Sequence, residues 1–139
     1  MHIRGILETC LYARDLDAAE AFYTGILGLE VSRREAGRHV FLRCGGGVLL
    51  LFNPDRTSTE VTTVQGSPIP LHGARGPGHL AFDVRAAELP AWRAHLVRKG
   101  VVIESEVHWP RGGASIYFRD PADNSLELTS ASIWGLWDD

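Results

Sequence analysis

The feature that most constrains this chain is that one order of elements can be read in it twice. Residues Ile6 to Ala13 form a strand candidate, and Asp15 offers a helix N-cap ahead of Ala18, Ala19, Ala21, Phe22 and Ile26 at helical spacing. Gly28 closes that helix; "LEVSRRE", "HVFLRC" and "VLLLF" follow as strands, with "GGG" turning between the last two. The pattern then restarts. "GHLAFDV" is a strand and "AAELPAWRAHLVRKG" a helix, with Pro90 tolerable near its first turn and Gly100 at its end. "VVIESEV", "ASIYFRD" and "SLELTS" are three more strands, and "DPADN" supplies Pro, Asp and Asn for a tight reversal between the last two. Overlaying the halves sets Glu8 opposite His79, and Glu127 opposite Leu50 or Leu51. The expectation is an α+β fold of eight strands and two main helices, built as two βαβββ modules whose curved mixed sheets enclose a cavity.

The boundaries follow from composition. Module one takes 1–53, a linker 54–77, module two 78–130 and a tail 131–139 of a single domain. The linker stretch holds Pro54, Pro68, Pro70 and Pro77 among several glycines, and its length marks it as a module linker or a functional loop.

Three charged or polar residues interrupt apolar strands at related places. Glu8 stands among Ile6, Leu7, Leu11 and Tyr12; His79 opens "HLAFDV"; Glu127 sits inside "SLELT". A carboxylate buried in such a strand costs several kcal/mol unless it is compensated, and a divalent cation would compensate it. Taken singly, each has an ordinary reading. Glu8 can face solvent, since strands alternate sides; His79 can be a hydrogen-bonded core histidine; Glu127 can pair with Arg43 or Arg119.

The formal net charge of −3 argues against a nucleic-acid binder that works by neutralising phosphates. No apolar run approaches the roughly 20 residues of a membrane span, and "MHIRGILETC" lacks the apolar core of a secretory signal. Cys10 and Cys44 show neither C-x-x-C nor zinc-finger spacing, which suits buried thiols in a reducing cytoplasm.

"DLDAAEAFYTGILGLEV" and "IYFRDPADNSLEL" together resemble the vicinal-oxygen-chelate superfamily, the group of glyoxalase I, fosfomycin-resistance transferases, extradiol dioxygenases and bleomycin-binding proteins. The resemblance spans nearly the whole chain, and it identifies the fold more sharply than the reaction. It implies metal ligands from the first strand of each module and from a last strand. Those positions fall on Glu8, seven residues before Asp15, on His79 and on Glu127. A fourth ligand, used in glyoxalase I, would fall on "VLLLF", where this chain has only Leu. The donor set suits Zn, Ni, Mn, Co or Fe(II) without choosing among them.

In the same resemblance Tyr117 points into the cavity, with Arg119 on the same strand face and His39 on the matching strand of module one. The ordinary reading for Arg119 is a surface pairing with Asp83 or Asp120. Trp109 and Arg111 in "VHWPRGG" would supply an aromatic wall and an anion contact, and His72 a covering loop; the plain alternative is a solvent-exposed loop. Two functions follow. One is a metal-dependent lyase, isomerase or atypical dioxygenase acting on a small oxygen-chelating substrate, with Glu8 or Glu127 able to serve as base. The other is a metal-free small-molecule or antibiotic-binding protein. Trp134 and Trp137 in the tail are expected to pack on the sheet or on a second subunit of a homodimer.

Overall fold

The computed structural model describes residues 1–136. The chain divides into two compact units, Met1–Gly76 and a second from Pro77 onward. In the first, β1 (Glu8–Tyr12), α1 (Leu16–Gly25), β2 (Glu30–Glu35), β3 (His39–Cys44) and β4 (Gly47–Phe52) form a four-stranded sheet in the order β1-β4-β3-β2. β1 and β4 run parallel and the other neighbours antiparallel, so the sheet is mixed. Asp15 caps α1 by accepting the Ala18 amide at 2.9 Å. Gly28, at φ +71°, ends the turn with Leu29 N–H bonded to the Tyr23 carbonyl. Leu16, Ala19 and Tyr23 are the helix's buried residues, whereas Ala21 faces out. They pack on Leu11, Leu42, Leu49 and Leu51, the sheet face that alternation sets opposite to Glu8.

The linker carries more structure than its composition suggests. It begins with the one-turn α2 (Pro54–Thr57), capped by Asn53, and continues into a hairpin of β5 (Thr62–Val64) and β6 (Ser67–Ile69). The strands therefore number ten among the described residues rather than eight. The hairpin turn is Gln65–Gly66, with φ +49° and +82°; a glutamine in the first position hides a turn that Asn-Gly would have announced.

The second unit repeats the plan. β7 (His79–Asp83), a 3-10 turn at Ala86–Glu88, α3 (Leu89–Arg98), β8 (Ile103–His108), β9 (Ala114–Arg119) and β10 (Ser125–Thr129) give a sheet ordered β7-β10-β9-β8. β7 and β10 are parallel, the rest antiparallel. Leu89 and Leu96 of α3 are buried with Phe82, Ile116, Phe118, Leu126 and Leu128. Each such side chain contributes roughly 1.5–3 kcal/mol by leaving water, so this apolar face anchors the sheet and leaves its other face for chemistry.

The Asp120–Asn124 reversal decides where β7 begins. Asp120 Oδ1 accepts the amides of Ala122 and Asn124 at 2.9 and 2.8 Å, while Asn124 Nδ2 donates to Asp120 Oδ2 at 2.9 Å. Asn124 Oδ1 then accepts the Gly78 amide at 2.8 Å, and Ser125 N–H donates to the Gly78 carbonyl at 2.9 Å. Asp120 and Asn124 are both buried. The turn thus clamps the residue immediately before His79.

Candidate functional site

In the second unit, period-two alternation puts His79 on β7, Glu127 on β10 and Tyr117 on β9 on one sheet face. Ser125 stands opposite His79, and Tyr117 stands opposite Glu127. His79 Nε2 lies 3.4 Å from Glu127 Oε2. His79 Nδ1 is 3.1 Å from the Ser125 carbonyl, which can only accept, so Nδ1 donates there and Nε2 is the ring nitrogen turned toward the carboxylate. Glu127 is 5% exposed, and its Oε1 is buried with no hydrogen-bond partner. A buried carboxylate oxygen left without a partner is costly unless a cation or a proton compensates it. Imidazole nitrogen and carboxylate oxygen are suitable donors for a divalent metal, so the pair fits one.

Tyr117 completes this group. Its ring stacks 6.4 Å from that of His79. Burial first, then the charge and hydrogen bonding of Glu127, push the phenol above its ordinary range. It stays a protonated donor at neutral pH.

Arg119 has a different partner from those expected. It meets Glu104 through Nε–Oε2 at 2.7 Å and Nη2–Oε1 at 3.0 Å, and donates to the Asp123 carbonyl at 3.1 Å, rather than engaging Asp83 or Asp120. The β-bulge between Ile103 and Ser105 brings Glu104 beside it. Asp83 instead accepts the Ala131 amide, and Asp120 is occupied by its turn.

Glu8 and His39 belong to the first unit. Glu8 opens β1 opposite Val48 and is exposed, as are Ile6 and Leu7, so β1 starts later than the apolar run and its first carboxylate is not buried in the chain. The register also resolves the module overlay. Glu127 lies two residues beyond the partner of His79, and Leu50 two beyond the partner of Glu8, so Leu50 is the counterpart of Glu127. Among the described residues, no group of three or more His, Cys, Asp or Glu side chains is placed to hold a metal ion.

Along the Glu8 face runs an aromatic row. His39 stacks on Phe41 with centroids 4.1 Å apart, and Phe52 meets both edge-on. His39 is half-buried and its Nε2 has no partner; burial holds the imidazole below its usual pKa, against the pull of Glu35. His72 from the linker closes the row, 4.6 Å from Phe52, with Nδ1 2.9 Å from the Tyr12 hydroxyl. The Tyr12 contribution was legible only as period two from Glu8. Burial, then Cys10, push the Tyr12 phenol up to about 12. An acid whose folded pKa is raised ionises first in the unfolded chain. This part of the stability is therefore complete below pH ~10, the free phenol value, and falls as pH rises toward 12. Spectrophotometric titration should show phenol resisting ionisation above pH ~10 in the parent, with one phenol's amplitude lost from that late phase in Tyr12→Phe while the raised Tyr117 remains.

Trp109 and Arg111 stand at the β8–β9 turn. Trp109 Nε1 donates to Ser115 Oγ at 2.8 Å. Together with Ile133 and Trp134 they line a groove of about 560 Å³. Trp134 is 78% exposed rather than packed on the sheet; Trp137 lies outside the described residues.

The model of the Glyoxalase/Bleomycin resistance protein/Dioxygenase superfamily matches residues 5–128. No curated protein matches the chain. A lactoylglutathione lyase from Agrobacterium tumefaciens is 42% identical, with TM-score 0.90, covering 98% of this chain and all (100%) of its own. An integron cassette protein from the Halifax Harbour sewage metagenome is 26% identical, with TM-score 0.71 over 92% of this chain and 99% of its own. A mutant of the fosfomycin resistance protein FosX from Listeria monocytogenes, complexed with Mn(II), shares the fold at 22% identity and TM-score 0.67, over 93% of this chain and 91% of its own. No helix among the described residues is long and apolar enough to cross a membrane.

Proposed function

The chain belongs to the Glyoxalase/Bleomycin resistance protein/Dioxygenase superfamily, and from that premise we propose that it is a metal-dependent enzyme, a lyase or isomerase before a dioxygenase, acting on a small substrate that chelates through two oxygens. The observation that carries this reading is the buried Glu127 carboxylate, with one oxygen unpaired and the other 3.4 Å from His79 Nε2. His79 and Glu127 would hold the cation, with Glu8 as third donor. The likeness to lactoylglutathione lyase favours the lyase arm, while Leu50 at the fourth position departs from glyoxalase I.

A bound divalent cation would supply Lewis-acid polarisation of the substrate oxygens. The chain's own residues do the rest. The Ser125 carbonyl fixes the His79 tautomer, as partners of metal-binding histidines commonly do. Tyr117 offers a protonated hydroxyl beside Glu127. A homodimer in which a second copy contributes Glu8 as the third donor is part of this reading. The exposed Ile3, Ile6, Leu7, Val61 and Val64 of the first unit are apolar surface for such an association.

A second reading, a metal-free binding protein, draws on the half-buried row of His39, Phe41 and Phe52. Elemental analysis of purified protein separates the two, followed by turnover assays on small substrates that chelate through two oxygens, with and without added divalent metal. About one equivalent of metal per chain and metal-dependent turnover are expected. Metal-free protein with no thermal response to any first-row divalent cation would leave the binding reading.

A further inference from the structure

We infer that the groove between the β8–β9 turn and the C-terminal 3-10 helix takes an anionic aromatic arm of the substrate, so that the substrate class is an aryl-bearing acid. The inference rests on the proposed metal site for the word substrate, while the groove itself is described by its own residues.

The groove is built rather than incidental. The β8–β9 turn closes through Trp109 N–H to the Gly113 carbonyl at 3.1 Å and Gly112 N–H to the Trp109 carbonyl at 2.9 Å. Gly113 has φ +86°, and a Cβ there would stand 2.6 Å from Ile133 Cγ2, so only glycine lets the turn seat against the 3-10 helix at Ala131–Trp134. The polar edge of Trp109 is spent inward. Its Nε1 donates to Ser115 Oγ, Ser115 Oγ donates to Thr129 Oγ1 at 3.1 Å, and Thr129 Oγ1 donates to the Ala114 carbonyl at 3.0 Å. Ser115 and Thr129 are buried, so this chain of bonds fixes the indole. What Trp109 leaves to the groove is its apolar surface, beside Pro110, Ile133 and the exposed Trp134.

Three observations select the occupant. The volume of about 560 Å³ is that of a small-molecule pocket, in the range of roughly 300–1,000 Å³. Two indoles would accept either a flat ring or a cation over their faces. Arg111 is the one charged residue among the described lining residues, and it disfavours a cation and favours a carboxylate or phosphate. The groove also adjoins the proposed centre. Ser115, which holds Trp109, stands opposite Thr129, and the next pair on the same face is Tyr117 opposite Glu127. Two residues along a strand span about 7 Å, close to the length of one aromatic ring with its substituent.

The test is calorimetric titration of chelator-treated protein with 2-naphthoate, and with neutral 2-naphthylmethanol as control. The expected result is one saturable naphthoate site per chain and weaker binding of the alcohol. Arg111→Gln should weaken naphthoate about tenfold, one charge-assisted contact, and leave the alcohol unchanged. Trp134→Ala, at an exposed position, should weaken both. No saturable binding, naphthoate affinity unaltered in both variants, or concentration-dependent self-association that Trp134→Ala abolishes would each overturn the inference, the last by assigning the groove to a second copy. Titration of the same samples with Mn²⁺ keeps the outcomes apart. If Mn²⁺ binds and naphthoate does not, the aryl-acid inference fails alone; if naphthoate binds and Mn²⁺ does not, the metal reading fails and so does the assignment of the ligand as its substrate.

Discussion

Glu127→Gln is expected to weaken divalent-metal binding by about 100-fold or more, at or above the upper end of losses seen when merely the supporting shell of a metal site is altered. The parent, at metal concentrations ~100 times its dissociation constant, should gain about 2.7 kcal/mol of stability, and the variant almost none. The metal-free variant should melt no lower than the metal-free parent. Glutamine keeps the shape but removes a buried negative charge whose Oε1 has no partner in the protein. Thermal melts with and without Mn²⁺, beside calorimetric titration, measure both effects. Equal metal response in parent and variant, or a marked loss of metal-free stability, would show that Glu127 is a structural residue satisfied by His79 and Tyr117 alone.

The second large effect is expected away from the chemistry. Asn124→Ala deletes the acceptor of the Gly78 amide and the donor to Asp120 Oδ2, in a place where Asp120 and Asn124 are both buried. Each orphaned group costs ~1–3 kcal/mol, so a loss of about 3 kcal/mol is expected, on the order of 10 °C in Tm for a domain of this size. Because the Gly78 anchor sets the start of β7, His79 should lose its register, and metal affinity should fall with stability. Asn124→Asp supplies the acceptor but no donor, and adds a carboxylate beside Asp120, so it should not restore either property. Urea melts and metal titration on both variants decide this. A variant that loses stability yet binds metal like the parent would separate the turn from the site.

Much of the frame of both modules was written locally. Asp15 before a helical period, Gly28 after it and the Asp120–Asn124 reversal are short-range devices whose physics lies within a few residues. Alternation in "SLELT" and "ASIYFRD" puts Glu127 and Tyr117 at polar places in apolar strands. The repetition of the whole order made two similar mixed sheets the natural outcome. The hairpin inside the linker escaped because its turn and its three-residue strands carry almost no periodic signal.

What the sequence determined by itself, then, is the element order, the caps and the types of residue available for a metal centre. Tertiary structure alone decided their partners. Strand register, a long-range property, brings His79 Nε2 to Glu127 and makes Leu50, not Leu51, the silent counterpart. A bulge in β8 gives Arg119 to Glu104, a pairing that no spacing along the chain encodes. Exposure of Ile6 and Leu7 moves Glu8 out of the buried strand that its neighbours implied, because burial depends on what covers a residue and not on the residue's own hydrophobicity.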